Sequence, residues 1–227
     1  MTEAIHAVLF DLDGTLLDTA PDLVYTINKL REEHHLPALP LSAIRPILSL
    51  GSRAMLKLAL EIDENYPKFN ELREYFLALY LDHLSLSTQP FPHIPHLLSH
   101  LDEKCIPWGI VTNKLTRHTT VLLNALGLDK RSACVICGDS LPTSKPNPEP
   151  LLHACKLMKV HPKHCLYIGD CVTDVIASKA AKMRSLVALY GYIGAEENPY
   201  SWQADGYVHE AKEIITWLSP YLQSESI

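Results

Sequence analysis

The stretch AVLFDLDGTLLDT, residues 7–19, places two acids, Asp11 and Asp13, directly after an apolar run. The run predicts a short buried β-strand over residues 4–10, which the Asp-Leu-Asp-Gly segment ends. Acids two residues apart in an extended chain point to the same face, about 6.6 Å apart. Their repulsion is about 2.5 kcal/mol at an effective dielectric constant of about 20. A folded protein that keeps such a pair needs something to offset the charge, so the stretch indicates a functional site at a strand end.

From residue 94 onward, strand patterns alternate with helical patterns. Further strands are predicted at 106–111, 133–137, 165–169, 185–190 and 206–208. Helical patterns fall near 94–103, 117–126, 148–159, 173–182 and 211–222. Strands that alternate with helices predict a parallel sheet with helices packed on its faces. The fold class is therefore predicted as α/β, with a doubly wound, Rossmann-like core.

Residues 19–84 have a different pattern. Leu23, Ile27 and Leu30 follow helical spacing, and no strand signal stands out in this region. The segment TQPFPHIPHL at 88–97 is rich in proline and predicts the return of the chain to the sheet. We therefore expect residues 1–18 and 85–227 to form an α/β core, with residues 19–84 inserted as an all-helical cap.

Composition limits the classes of function. The chain has 227 residues, of which 47% are hydrophobic and 20% charged, as in a globular protein with a substantial core. The net charge of −6 argues against nucleic-acid binding and gives no reason to expect a membrane partner. No apolar run approaches the roughly 18 residues of a membrane helix, and the N-terminus does not resemble a signal peptide. These features predict a cytoplasmic protein.

Two groups of possible metal ligands have simpler interpretations. Cys134 and Cys137 form a CxxC pair, but no second pair follows and the surrounding apolar run indicates a buried strand. The six cysteines are therefore predicted to be small core residues. His93, His96 and His100 share one face of a predicted helix without an evident fourth ligand, which favours a surface helix.

Three predicted strands end in polar side chains of functional type: Asp11, the Thr112-Asn113 pair and Asp170. The carboxyl ends of parallel strands share one edge of the sheet, where ligands bind, so topology should bring these residues together. Clustered carboxylates suit Mg²⁺, which prefers oxygen ligands. Asp11 and Asp170, with the main-chain carbonyl of Asp13, could supply them.

A positive group is also expected at this edge. Lys145 lies in TSKPNPEPLL, directly before a predicted helix start, and both a lysine and a helix N-terminus favour phosphate. Alone it would be interpreted as an exposed loop lysine, but the flanking prolines and the acids favour a functional role.

Four motifs, FDLDGTLLDT, VTNK, SKPNPEP and IGDCVTD, resemble in order and separation those of the haloacid dehalogenase-like hydrolases. The resemblance covers nearly the whole chain, and the helical insert is similar to the cap of that superfamily. Within it, the chain looks closest to phosphoglycolate phosphatases. The segments ALYGYI and NPYSWQAD look nearer still to N-acetylmuramic acid 6-phosphate phosphatases.

The resemblance implies a role for each matching residue. Asp11 would be the nucleophile that forms an aspartyl-phosphate, and Asp13 would be the acid/base. Phosphate oxygens would be held by Thr112, Asn113 and the amides near Asp13 and Gly14.

For charge and metal, the resemblance implies that Lys145 would offset the charge of nucleophile and phosphate. Asp170 would bind Mg²⁺, and Asp174 would steady its loop or a metal-bound water. Cys171 departs from the more usual Ser or other polar residue and puts a hydrogen bond of that loop in doubt. Asp139, in a second Gly-Asp pair, is predicted to be a rim residue.

The overall prediction is a Mg²⁺-dependent phosphatase of a small-molecule phosphate ester, 2-phosphoglycolate or N-acetylmuramic acid 6-phosphate, acting as a monomer or homodimer. A phosphomutase, a haloacid dehalogenase and a phosphate-sensing receiver are the alternatives. Arg53 of the insert is either part of a solvated helix face or a cap residue that reads the distal group of the substrate.

Overall fold

A computed structural model describes residues 3–222, and a six-stranded parallel sheet lies at its centre. The strands of this sheet are β1 (Ala7–Phe10), β4 (Trp108–Val111), β5 (Val135–Ile136), β6 (Cys165–Gly169), β7 (Arg184–Ala188) and β8 (Gly206–Val208). Their spatial order is β5-β4-β1-β6-β7-β8. The order reverses direction at β1, as in a doubly wound fold, so the predicted fold class is confirmed.

Helices cover both faces of the sheet because successive residues of a strand point to opposite sides. Val8 and Phe10 of β1 belong to one apolar cluster, which contains residues of α5 (Ile94–Glu103), α6 (Thr116–Leu126) and α9 (Lys212–Leu218). Ala7 and Leu9 belong to a second cluster, which contains residues of α7 (Glu149–Met158) and α8 (Val172–Ala180). All four residues of β1 are fully buried, which explains its continuous apolar run.

Four helices lie between the first strand and the rest of the core: α1 (Ala20–Glu33), α2 (Leu41–Ile44), α3 (Gly51–Leu60) and α4 (Phe69–Asp82). The chain leaves the core through β2 (Leu17–Asp18) and returns through β3 (Gln89–Pro90). These two strands form an antiparallel ribbon that the sequence did not predict. The division into core and cap remains a prediction, and its outermost residues, 1–2 and 223–227, lie outside the described part of the chain.

The cysteines and histidines of the two alternative metal groups differ in burial. All six cysteines are free thiols; five are buried, and Cys105 is exposed, contrary to its predicted core position. His93 and His96, at the start of α5, are exposed. Among residues 3–222, no helix is both long enough and apolar enough to cross a membrane.

Candidate active site

Asp11 and Asp170 meet at the carboxyl edge of the sheet because their strands are neighbours. β1 pairs with β6 in a register that places Phe10 beside Ile168, so Asp11 follows its paired residue directly and Asp170 follows Gly169, one residue further on. Asp174, in the first turn of α8, joins them, and one carboxylate oxygen from each of the three acids lies within 4.8 Å of the others. The structure therefore brings together the three acids that the sequence assigned to the metal or its surroundings.

Lys145 balances much of this negative charge. Its Nζ lies 2.8 Å from Asp11 Oδ1 and donates hydrogen bonds to Asp174 Oδ1 at 2.8 Å and to the Tyr167 hydroxyl at 2.7 Å. Burial alone would lower the pKa of Lys145, but the charges of Asp11 and Asp174 outweigh it and raise the pKa above its usual value. The lysine is therefore a buried, permanently charged ammonium.

Asn113 fixes the position of this lysine. Its Oδ1 accepts a hydrogen bond from the Lys145 amide at 3.0 Å, and its Nδ2 donates one to the Lys145 carbonyl at 2.9 Å. Thr112, which directly precedes it, is buried at the end of β4. The side chain of Asn113 therefore holds the loop of Lys145 in place. The sequence predicted a contact with phosphate for Asn113 but not this structural role.

The Asp11 carboxylate has an unusual environment. Oδ1 is buried, and its close polar neighbour among residues 3–222 is the Lys145 ammonium at 2.8 Å, with which it forms an ion pair. Burial raises the pKa of Asp11 from 3.8 to about 6, Lys145 opposes this, and the charge of Asp174 adds to it. A buried carboxylate is costly unless it is paired, so the charge of Asp11 depends on the adjacent Lys145.

Asp170 is held rigidly by groups from two other loops. Oδ1 accepts from the Thr15 hydroxyl at 3.0 Å, and Oδ2 accepts from the Tyr192 amide at 2.8 Å. Burial, followed by the charges of Asp11 and Asp174, raises the pKa of Asp170 well above its usual value.

Gly14 is required beside Asp170. Its φ of +82° lies in the left-handed region, and a Cβ at this position would overlap the Asp170 carboxylate.

The donor set suits a hard divalent cation. Among the described residues, the group of possible metal ligands at this edge consists of three carboxylates, from Asp11, Asp170 and Asp174, with no histidine or cysteine. Both oxygens of Asp174 are already used, since Oδ1 accepts from Lys145 and Oδ2 accepts from the Cys171 amide at 3.0 Å. Asp170 also accepts two hydrogen bonds, but both of its donors are neutral, whereas Asp174 Oδ1 is paired with the Lys145 ammonium. Asp170 therefore keeps more uncompensated charge for a cation than Asp174 does. Oxygen donors of this type are those that Mg²⁺ prefers.

Asp13 lies on the cap side of the same edge. Its Oδ1 accepts hydrogen bonds from the Thr19 hydroxyl at 2.7 Å and from Lys114 Nζ at 2.9 Å. Lys114 also donates to the Tyr80 hydroxyl at 2.9 Å, which links Asp13 to the end of α4. Sequence reasoning missed Lys114, although it is the last residue of the VTNK motif.

A cavity of about 140 Å³ opens between this edge and the helices of the insert. Asp11, Asp13, Thr112 and Asn113 form its polar floor. Its apolar wall is formed by Leu23, Leu48, Met55, Phe76, Leu77 and Leu115. A small substrate could therefore place a charged group on the floor and its carbon skeleton against the wall.

Two other predicted positions lie away from this cavity. Arg53 is half exposed and pairs with Glu64 at 3.0 Å, and it does not line the cavity. Arg73, from α4, is the arginine that does, and sequence reasoning missed it. Asp139 is exposed and accepts a hydrogen bond from the Thr116 amide at 2.8 Å, at the first residue of α6.

A doubly wound sheet with clustered acids and a buried lysine at its carboxyl edge defines an α/β protein with a carboxylate-based enzyme site. The family model of the haloacid dehalogenase-like hydrolases matches residues 8–188, and the chain belongs to this family.

Two curated relatives cover most of the chain. It is 38% identical over 211 residues to an N-acetylmuramic acid 6-phosphate phosphatase of Pseudomonas aeruginosa, a match that spans 93% of each chain. It is 41% identical over 218 residues to a phosphoglycolate phosphatase of Xanthomonas campestris, spanning 95% of this chain and 98% of the relative. These matches make the chain a phosphatase of the family.

A solved structure supports the fold. A predicted phosphoglycolate phosphatase from Haemophilus somnus superposes with a TM-score of 0.83 at 25% identity, covering 94% of this chain and 97% of its own.

Proposed function

We propose that this phosphatase hydrolyses a small phosphomonoester, 2-phosphoglycolate or N-acetylmuramic acid 6-phosphate, through an aspartyl-phosphate on Asp11. The observation that carries the proposal is the Asp11 carboxylate, which lines the cavity and is paired with the buried Lys145 ammonium at 2.8 Å. A carboxylate in this state is poised to attack an electrophile, and a covalent intermediate divides hydrolysis into two easier steps.

Asp11 would attack the phosphorus atom and form the acyl phosphate while the bond to the ester oxygen breaks. Asp13 would give a proton to that oxygen and then take one from the water that releases inorganic phosphate. Lys145 would offset the charge that Asp11 and the phosphoryl oxygens share. Thr112 and the amides near Asp13 and Gly14 would bind phosphate oxygens.

Mg²⁺ is the proposed cofactor, with Asp11, Asp170 and the carbonyl of Asp13 as its ligands. When bound it would neutralise phosphoryl charge and hold the phosphate in line with the nucleophile. Asp174 would keep Lys145 and the loop of Asp170 in place, as its hydrogen bonds to Lys145 and to the Cys171 amide suggest.

We further propose that residues 19–84 act as a cap that closes over the substrate and excludes water from the acyl phosphate. Action on a small-molecule ester in the cytoplasm, as a monomer or homodimer, completes this hypothesis. The phosphatase names of the curated relatives favour hydrolysis over the phosphomutase, dehalogenase and receiver alternatives.

The Asp11→Asn variant tests the nucleophile. With Mg²⁺ and 2-phosphoglycolate or N-acetylmuramic acid 6-phosphate, we expect phosphate release to fall by about 10³-fold or more, because an amide cannot form the acyl phosphate. Asp139→Asn is the matched control, since Asp139 also lies just after a strand of the sheet but is outside the cavity. Release by Asp11→Asn at more than a tenth of the wild-type rate, with the control unchanged, would remove Asp11 from this role.

A further inference from the structure

The cap side of the cavity carries a single positive charge. Of the described residues in 20–84 that line it, Arg73 is the only charged one, and the others are apolar side chains, Tyr80, two serines and a glycine. The acids and Thr112 occupy the opposite, core side. An ester whose phosphate lies on the floor therefore has its other end directed toward Arg73.

The guanidinium of Arg73 is fixed but not fully used. Its Nε donates to the Ser52 hydroxyl at 2.8 Å, which ties α4 to the start of α3. Its Nη1 donates to Glu74 Oε1 at 3.2 Å, and Glu74 is more than half exposed and also pairs with Arg117. Nη2 makes no hydrogen bond within residues 3–222, so an edge of the guanidinium stays available.

The side chain of Arg73 is 25% exposed, whereas Arg53 is 52% exposed. Partial burial against the apolar wall strengthens a charge–charge contact because less water screens it. The planar fork of a guanidinium matches a carboxylate better than it matches a neutral hydroxyl. The contact between Arg73 and the exposed Glu74 is a surface ion pair, which contributes little free energy, so a bound anion can displace it.

We propose that Arg73 forms a carboxylate-binding subsite, which selects phosphomonoesters that carry a carboxylate at the end remote from the phosphate. This inference rests on the proposed function, since it assumes that phosphate lies on the acid floor. It also gives one chemical class to the two candidate substrates, because 2-phosphoglycolate and N-acetylmuramic acid 6-phosphate each carry one carboxylate.

The test compares two matched substrate pairs. In each pair the second ester lacks the carboxylate: 2-phosphoglycolate against 2-hydroxyethyl phosphate, and N-acetylmuramic acid 6-phosphate against N-acetylglucosamine 6-phosphate. The wild-type enzyme should prefer the carboxylated ester of at least one pair, and that pair identifies which carbon skeleton the cavity accepts. For Arg73→Met, kcat/KM on that carboxylated ester should fall by about 10- to 100-fold, as for loss of a hydrogen-bonded charge pair.

On the neutral esters, Arg73→Met should stay within about threefold of wild type. Arg53→Met is the matched control, an arginine of the same helical region that does not line the cavity, and it should stay within about threefold on all four esters. Arg73→Lys, which keeps the charge, should recover part of the preference. Thermal melting of each variant separates loss of selectivity from loss of the Ser52 contact and of stability.

Equal loss on carboxylated and neutral esters, or no preference in the wild type, would overturn the subsite and leave the phosphatase proposal intact. Failure of the wild type to release phosphate from any of the four esters would overturn the proposed substrates. In that case, calorimetry of 2-phosphoglycolate binding tests the subsite. The proposal requires that Arg73→Met binds 2-phosphoglycolate more weakly than Arg53→Met does.

Discussion

Removal of the metal should give this protein an unusual dependence of stability on pH, with Asp11 as its source. Burial raises the pKa of Asp11 from 3.8 to about 6 in the metal-free fold. Because the folded state holds this proton more tightly than the unfolded chain, the stabilisation is complete below about pH 4 and is lost as the pH rises through 6. A shift of about two units corresponds to about 3 kcal/mol.

The assay is urea unfolding of the wild type and of Asp11→Asn between pH 4 and 7.5, in EDTA and in excess Mg²⁺. Other groups also titrate, so the free energies of the two proteins are subtracted at each pH. They include His118, whose pKa burial lowers, and Asp170, whose pKa is raised by burial and by the charge of Asp11, so any change at Asp170 adds to the loss in the wild type. In EDTA, the wild type should lose about 3 kcal/mol relative to Asp11→Asn between pH 4 and 7. With Mg²⁺ at about 100 times its dissociation constant, the wild type should regain about 2.7 kcal/mol at pH 7.

Two results would refute this reasoning. A difference between the proteins that stays constant with pH in EDTA would mean that Asp11 has an ordinary pKa in the fold. An equal gain in stability from Mg²⁺ in both proteins would mean that the cation binds elsewhere.

Two further predictions concern the residues around Asp13 and Asp170. Lys114→Met removes the bond to Asp13 and should lower kcat by about 10- to 100-fold with little change in KM. Tyr80→Phe removes only the contact from α4 and should lower kcat by about threefold or less. Steady-state kinetics with saturating Mg²⁺ measure both, and an equal loss for the two variants would contradict a role for Lys114 through Asp13. Gly14→Ala should destabilise the fold by at least about 1–2 kcal/mol, because φ is left-handed there. It should also raise the Mg²⁺ concentration for half-maximal activity, because the new Cβ displaces the Asp170 carboxylate. An unchanged Mg²⁺ requirement would contradict the assignment of Asp170 as a metal ligand.

The sheet could be predicted because its four central strands, β4, β1, β6 and β7, are almost wholly buried. β6 and β8 have the predicted bounds, 165–169 and 206–208, and the other four strands lie within or at the edges of the predicted apolar runs. Such runs are continuous, bounded by turn residues and separated by helical periodicity, which leaves few topologies. Functional residues at the ends of adjacent parallel strands then come together without any information on side-chain contacts.

The ribbon of β2 and β3 could not be predicted, because each strand has only two residues. Two residues are too few for a periodic pattern, and Pro90 argues against a strand. The double hydrogen bond of Asn113 to the Lys145 main chain was also hidden, since 32 residues separate the partners and no local pattern encodes the contact.

The choice between Arg53 and Arg73 shows why the cap is harder to predict than the core. Both arginines lie in amphipathic helices, and helical periodicity separates a buried face from an exposed one without showing which boundary residue faces a cavity. In the structure, tertiary contacts determine which arginine lines the cavity. Glu64 and the Phe69 ring hold Arg53 near solvent, while Ser52 holds Arg73 at the cavity wall. The proposed chemistry of the core follows from strand ends that topology places together, but the proposed carboxylate subsite depends on how α3 and α4 pack. Four short motifs can therefore predict the reaction class, whereas the sequence does not distinguish the arginine that we propose to bind the substrate from similar arginines nearby.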